Sequence, residues 1–511
     1  MITREEALDR LGAEKWDVVV IGGGASGLGS ALDAASRGFR TCLVEAHDFA
    51  KGTSSRSTKL IHGGVRYLRQ GNVSLVRESL HERNLLLRNA SSVVHPLEFV
   101  IPVTSWTGSL YYATGLKLYD VLSGRSGILP SRRLSGKEVS RRVPTLNWDQ
   151  APYGVSYFDA QFDDAGLALA LVETFCREGG TPANYVPVTS LIHEQGTIKG
   201  VVIRDAESGR EIEVRGTAII NATGAFSDSL RRWDDQQAAS RLTLSQGIHL
   251  VVPGRFLPGK AAVIVPETSD GRVVFFIPWM GSVLIGTTDV PVSSADVEPR
   301  PTAMEIDYLL ELAARYLETP PKRSDVRSCF AGLRPLVKGS PGESTSKLPR
   351  DHVIEVSKTG MISMLGGKWT TFRVMGEDAI STAIKRFHLP DRPSRSKNVI
   401  IARRGRSAEG STAENPNGND TAVRVGPPSQ RQVPSDEDVR QVARFEMARR
   451  VEDVLARRFR LLFLDAAEAR QEADRIARIL ATELGRDDSW IAEQVNEFHA
   501  LADSYNLNAE R

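Results

Sequence analysis

The stretch Trp16–Ala46, WDVVVIGGGASGLGSALDAASRGFRTCLVEA, decides how this chain folds. Trp16 to Ile21 has the nearly unbroken apolar character of a strand buried on both faces. It runs into a cluster with Gly22, Gly24 and Gly27 in GxGxxG spacing. Ala31, Leu32, Ala34 and Ala35 mark a helix that stops at Gly38, and RTCLVEA supplies a second strand ending on Glu45, 23 residues after Gly22. Three glycines alone are a weak signal; with strand, helix and acid around them they read as a βαβ unit for an adenine dinucleotide. Gly22 permits the tight turn, Gly24 lets the backbone approach a pyrophosphate, and Gly27 lets helix and strand pack. Free N–H groups at the helix start face the phosphate charge. Glu45 is placed to accept hydrogen bonds from ribose hydroxyls, which disfavours a 2′-phosphate.

The totals fit a soluble enzyme. The 511 residues suggest roughly three domains, and 41% hydrophobic with 25% charged residues gives ample core without wholesale disorder. A formal net charge of +2 gives no global reason to expect nucleic acid. Cys42, Cys176 and Cys329 are scattered without a CxxC pair, so neither a disulfide framework nor a zinc site is expected, and a reducing, cytoplasmic compartment fits best. The start MITREEALDRLGAEKW lacks the apolar core of a secretory signal, and no window offers the ~18 apolar residues of a spanning helix.

Two further stretches ask for a ligand. TAII runs into Asn221 followed by Ala222, Thr223 and Gly224, a strand exit whose small residues can lie against a nucleotide. TSSRSTKLIHGGVRYLRQG, Thr53 to Gly71, combines hydroxyls, a lysine, a histidine beside a glycine pair, Arg66 and Tyr67, with the periodicity of neither strand nor core helix.

Taken with FFIPWMGSVLIGTTD, AGLRPL and MLGGKWTTFR, these motifs resemble, in order, the FAD-dependent glycerol-3-phosphate dehydrogenases, from about residue 14 to about 390 and again in VRQVARFEMARRVEDVLARRFRLLFLDA. The resemblance implies an α/β fold with an α+β substrate part: an FAD-binding Rossmann-like domain of the glutathione reductase and amino acid oxidase type, a mixed-sheet substrate domain and a small C-terminal helical cap. The FAD-binding part is expected over 14–95, 155–245 and 346–395, the substrate part over 96–154 and 246–345, a linker over 403–438 and the cap over 439–505. The implied reaction is oxidation of sn-glycerol 3-phosphate to dihydroxyacetone phosphate, with electrons passed to a quinone at the inner face of a membrane. An oxidase using oxygen and a dehydrogenase of another polyol phosphate are the alternatives, and a homodimer is allowed.

The resemblance assigns the flavin to the opening glycines, Glu45, Thr53, Ser54, Thr58, Lys59, Leu60, His62, Gly63, Val188, Ala222, Thr223, Gly224, Gly367, Lys368 and Thr370. Arg66, Tyr67, Arg334, Arg350 and Thr287 are assigned to substrate. A planar guanidinium fork suits a phosphate, although most arginines of any chain are solvated surface charges. Lys368 is expected near flavin N5, and His249 is the candidate general base because imidazole titrates near working pH, against the plainer reading of a satisfied core histidine.

Asp163 and Asp164 could suggest a metal, but with no accompanying cluster they read as the N-cap of the helix AGLALALVETF, and no metal is expected. Gly166 stands where the family usually has arginine, and Ile248 where a small hydroxyl residue precedes the histidine. The span Arg403 to Asp438 reads as flexible linker replacing the first cap helices, so a trimmed cap is expected. After it, Ala448, Val451, Val454, Leu455 and Leu462 follow helical steps. Arg449, Arg450, Arg457, Arg458 and Arg460 give that helix a basic face, either solvated or drawn to anionic lipid.

Overall fold

The computed structural model describes residues 2–65, 72–124, 128–265, 273–338, 352–402 and 433–509. Two sheets organise them. The first has the spatial order His352–Val356, Ile362–Gly366, Glu211–Asn221, Trp16–Ile21, Thr41–Val44, Thr181–Ala183. Trp16–Ile21 is central and parallel to both neighbours, with Val18 opposite Ala218 on one side and Thr41 on the other. Val18, Val19 and Val20 are fully buried, as the unbroken apolar run requires. Val188–Glu194 and Thr197–Arg204 extend this sheet as an antiparallel pair.

Helix Ala25–Ser36 returns across the first sheet and packs against Asp164–Arg177 and Phe372–Phe387. Its contact with the last is close enough that a side chain at Gly29 would meet the Phe372 carbonyl, and one at Gly376 the backbone of Gly29. The GLGS glycine thus serves helix packing.

The second sheet holds ten strands, built around Leu242–Pro253 between Ser282–Gly286 and Ser328–Val337, and around Val94–Val103 beside Tyr153–Phe162. The last of these crosses the expected 154/155 boundary as one continuous strand. The register of Leu242–Pro253 sets Ser245 opposite Arg334, and His249 opposite both Phe330 and Gly286.

The C-terminal part contains helices Asp436–Phe445, Leu461–Leu464, Ala466–Leu484 and Asp488–Tyr505 and a π-helical turn Asp453–Arg458. Helix begins at Asp436, inside the expected linker, because Ser435 and Asp438 form a capping box; residues 403–432 lie outside those described. This part docks. Phe463 packs edge-on against Phe330 of the second sheet, ring centroids 4.8 Å apart, and against Tyr505 at 5.5 Å.

The expected basic face is corrected by this docking. Arg457, Arg458 and Arg460 are buried, and the widened π turn lets consecutive arginines point inward. Arg457 and Arg458 both bond Asp48, with Arg457 also 2.7 Å from Asp453, and Arg460 reaches Asp164 at 2.7 Å. Arg449 pairs with Glu207 at 2.6 Å, while Arg450 keeps a looser, exposed partner in Glu497 at 3.4 Å.

The acid pair is corrected too. Asp163 occupies the N-cap position, but its carboxylate faces Arg460 at 3.5 Å, and Asp164 is an internal anion accepting from Ser57, Lys59 and Arg460. A side chain at Gly166 would run into Asp163, whose carboxylate Arg460 faces instead.

Breaking a buried pair should cost far more than breaking an exposed one. Asp48→Ala, which removes the carboxylate shared by two buried guanidiniums, should lower unfolding free energy by about 3–5 kcal/mol. Glu497→Ala should cost about 0–1 kcal/mol. Urea denaturation of the two variants checks the contrast, and equal losses would contradict it.

Candidate active site

The leading strand ends at Gly22, whose φ of +111° lies in the region that favours glycine. A Cβ there would stand 2.6 Å from the Ala222 carbonyl oxygen, and one at Gly27 would fall on the carbonyl oxygen of Gly22. The GxGxxG spacing therefore records a backbone-to-backbone approach between strand end and helix start. Gly24 is the N-cap of helix Ala25–Ser36, and its missing side chain leaves room for Ser54 Oγ, which accepts the Ala25 N–H at 2.9 Å.

Glu45 closes this corner. Its carboxylate accepts the N–H groups of Gly23 at 2.5 Å and His47 at 2.9 Å. Burial nevertheless pushes the carboxyl above its ordinary value, against the pull of those bonds.

A cavity of about 390 Å³ opens here. Of the residues assigned to flavin from sequence, Gly22, Gly24 and Glu45 line it at the first strand and helix, Thr53 and Ser54 at the following segment, and Val188 and Ala222–Gly224 at the returning strands. Gly27 stands behind the wall and sets its shape.

His62, Gly63, Gly367, Lys368 and Thr370 form an adjoining group. Trp369 Nε1 donates to the Ser54 carbonyl at 2.8 Å, and Thr370 Oγ1 to the His62 carbonyl at 3.4 Å, tying GGKWT to IHGG. Gly64, Gly366 and Gly367 all have positive φ, and the Gly63 N–H donates to Tyr119 at 2.9 Å. The Lys368 ammonium is enclosed at this junction.

Lys59 and Leu60 depart from their assignment as far as side chains go. The Lys59 ammonium is wholly buried, donates to the Ser55 carbonyl and Asp164 at 2.7 Å each, and lies over the rings of Trp279, Phe330 and Phe463. Leu60 pairs with Gln161 in the second sheet and joins its apolar core.

Of the residues assigned to substrate from sequence, Arg334 and Thr287 meet beside the second sheet. Arg334 Nη2 donates to Thr287 Oγ1 at 2.9 Å, and Nη1 to the Thr288 carbonyl at 3.1 Å, with Asp289 at 3.5 Å. Leu333, beside it, lines the cavity and accepts the Thr53 hydroxyl at 2.6 Å. On the neighbouring strand His249 is buried and stacks on Phe330, with Nε2 3.0 Å from Thr58 Oγ1. Burial, helped by Lys59 and Arg334, holds the imidazole well below its ordinary value, so it is neutral. The Ile248 side chain is buried in an apolar core, and its N–H donates to Thr288 Oγ1 at 3.0 Å. Arg66, Tyr67 and Arg350 lie outside the described residues.

Sequence reasoning passed over Lys51, Arg56 and Leu333, all cavity-lining. Arg56 sits inside the quoted hydroxyl ladder, and a cation there was the available signal.

An amide-lined helix start, a cavity-lining carboxylate at the end of the second strand, and a wall of small residues fit an adenine dinucleotide, and the glycine turns at 63–64 and 366–367 fit close approach of a flat ring. Fold and site define an oxidoreductase that binds FAD. Residues 17–373 match the profile described as FAD dependent oxidoreductase, and the chain belongs to that family. Residues 412–490 match the C-terminal domain of alpha-glycerophosphate oxidase.

Among sequence relatives, the mitochondrial glycerol-3-phosphate dehydrogenase of Macaca fascicularis is 42% identical, over 76% of this chain and 55% of the relative. That of Homo sapiens is 40% identical over the same shares. The probable glycerol-3-phosphate dehydrogenase of Encephalitozoon cuniculi is 39% identical over 78% of this chain and 66% of the relative. The chain thus spans a little over half the length of the first two.

Among solved structures, the Bacillus halodurans glycerol-3-phosphate dehydrogenase complexed with FAD superposes with a TM-score of 0.78 at 26% identity, covering 99% of this chain and 98% of that one. The L-alpha-glycerophosphate oxidase of Mycoplasma pneumoniae shares the fold at a TM-score of 0.57 and 18% identity, over 75% of this chain and 97% of that one.

Gly27→Ala should yield folded protein without flavin, because the added methyl collides with the Gly22 carbonyl and moves the helix start. Visible flavin absorbance relative to protein absorbance checks this; a parental ratio would contradict it.

Proposed function

We propose that the chain oxidises sn-glycerol 3-phosphate to dihydroxyacetone phosphate, with a quinone as final electron acceptor. The observation that carries this reading is the Arg334–Thr287 pair beside Leu333, which places a guanidinium and a hydroxyl next to the wall of the FAD cavity. The names of the relatives and of the Bacillus protein support the substrate.

Bound FAD supplies the acceptor for the hydride leaving C2. Arg334 binds the phosphate dianion through its planar fork, oriented by Thr287 and the Thr288 carbonyl. Asp289 stands 3.5 Å from the same guanidinium. His249 is 2% exposed, so the substrate hydroxyl proton reaches it through the Thr58 hydroxyl, which donates its own proton to Nε2 as it accepts the new one. A neutral imidazole is the form able to take that proton. Lys368 completes the cationic character of the flavin side.

A quinone resides in lipid, and one surface supports contact with it. Among the described residues no helix is long and apolar enough to cross a membrane. Helix Trp106–Ser123, however, turns Trp106, Leu110, Tyr111, Leu118 and Val121 to solvent, Val121 at 76% exposure. Asp120 accepts from Ser131 and stands 3.6 Å from the exposed Lys117, and Arg133 lies over the Trp106 ring at 4.9 Å. An apolar stripe with cations and an aromatic ring suits the interface of an anionic bilayer, and it takes over the role first given to the C-terminal arginines.

Arg334→Ala should raise the glycerol 3-phosphate concentration for half-maximal flavin reduction by about tenfold or more while leaving FAD bound. Unchanged half-saturation would refute the role. Rapid mixing with peroxide detection separates the oxidase alternative, since peroxide formation at the rate of flavin reduction would replace the quinone. Because the His249 pKa is depressed, the base stays neutral as pH falls through the ordinary imidazole value of about 6.5. The reduction rate should therefore hold level across that point, and a loss centred at or above it would contradict the assignment. In vesicle co-sedimentation, Leu110→Ser with Leu118→Ser should weaken binding to anionic vesicles several-fold with flavin reduction unaltered; unchanged binding would remove the membrane contact.

A further inference from the structure

The segment Asp48–Lys59 forms one wall of the FAD cavity, with Ala50, Lys51, Gly52, Thr53, Ser54 and Arg56 all facing it. It has little regular structure of its own: a three-residue turn at Thr53–Ser55. Ala50 and Lys59, close to its two ends, are non-glycine residues with φ of +60° and +62°. Left-handed backbone at such residues costs energy and persists only where the surroundings over-determine it.

Those surroundings are supplied from the far end of the chain. Arg457 and Arg458 converge on Asp48. Glu452 bonds Lys51, and Tyr505 Oη bonds Arg56 Nη1 at 2.6 Å, while Glu298 of the substrate part reaches both cations. Arg460 donates to the Ser55 carbonyl at 3.1 Å and to Asp164 at 2.7 Å; Asp164 also holds Lys59 at 2.7 Å and the Ser57 hydroxyl at 2.7 Å. Residues from 452 to 460 and at 505 therefore grip the segment at points along its whole length, holding Asp48 and Ser55 behind the cavity wall and Lys51 and Arg56 within it.

We propose that the C-terminal helical region is a clamp on the FAD-holding segment, with Arg460 as its central positioning residue. Arg460 touches no cavity wall directly. It acts through Ser55 and Asp164, fixing Thr53 and Ser54 on one side and Thr58 on the other. Because the clamp and the cofactor both hold this one strained segment, their effects are coupled, and coupling is reciprocal. Docking of the C-terminal region tightens FAD binding, and bound FAD steadies residues 452–464. This inference rests on FAD binding alone and is independent of which alcohol is oxidised.

The test compares two arginines of the same region. Arg460→Met keeps length and apolar stem but loses the charge; Arg449→Met breaks the pair with Glu207, which fastens the region to the molecule away from the segment. Dissociation constants for FAD, read from flavin fluorescence, should rise about tenfold or more for Arg460→Met, recover in part in Arg460→Lys, and stay at the parental value for Arg449→Met. Parental FAD affinity in Arg460→Met, or equal losses in both methionine variants, would overturn the proposal, the latter by reducing it to general stability. Should Arg460→Met fail to fold, amide exchange of the parent protein decides: FAD should slow exchange over residues 453–464, and equal exchange with and without FAD would reject the clamp.

Discussion

The structure depends on one close approach, that of the Gly27 α-carbon to the carbonyl oxygen of Gly22. No side chain fits between them. This contact lays helix Ala25–Ser36 against the end of the central strand, so that its first amides open toward the space between Glu45 and Ala222. From that point the remaining contacts are consequences of reach. Ser54 can meet the Ala25 amide, Trp369 can meet Ser54, and Thr53 can meet Leu333, so one nucleotide corner draws in segments more than 300 residues apart.

A second constraint is electrostatic. Asp48 and Asp164 are completely buried, and each is held by two cations, with Lys59 as one of those at Asp164. Burial alone would raise a carboxyl pKa, yet the paired arginines and lysine keep both acids below their ordinary value. Such clusters contribute modestly to net stability compared with an apolar core, but losing one member strands the others, which makes them sensitive to geometry. Here that sensitivity falls on the segment carrying Thr53 and Ser54.

Much of this was readable before any coordinates. The βαβ unit, Glu45 and the Ala222–Gly224 exit were legible because local spacing encodes them: a strand of fixed length delivers its acid to a fixed place. Arg334 was legible through its motif, and its partner Thr287 through another. What spacing could not encode was pairing across the chain. Arg457 and Arg458 looked like a solvated or lipid-facing stripe because their acid, Asp48, stands about 400 residues earlier. Asp163 and Asp164 looked like a helix cap because Arg460 was not yet beside them. Lys59 looked like a flavin contact because it sits within a flavin-holding stretch, whereas its ammonium is buried against Ser55 and Asp164. The exposed apolar helix Trp106–Ser123 was unreadable for a different reason: its hydrophobic residues occur on both faces, and only packing shows which face meets solvent.

The central claim is that this FAD site oxidises a small phosphorylated alcohol, and the most direct measurement is an anaerobic titration of the purified holoprotein with sn-glycerol 3-phosphate. The flavin should lose its visible absorbance in proportion to added substrate, with dihydroxyacetone phosphate appearing in equal amount, while unphosphorylated glycerol leaves the colour unchanged. Flavin that stays oxidised at saturating glycerol 3-phosphate, or that glycerol bleaches equally well, would contradict the account.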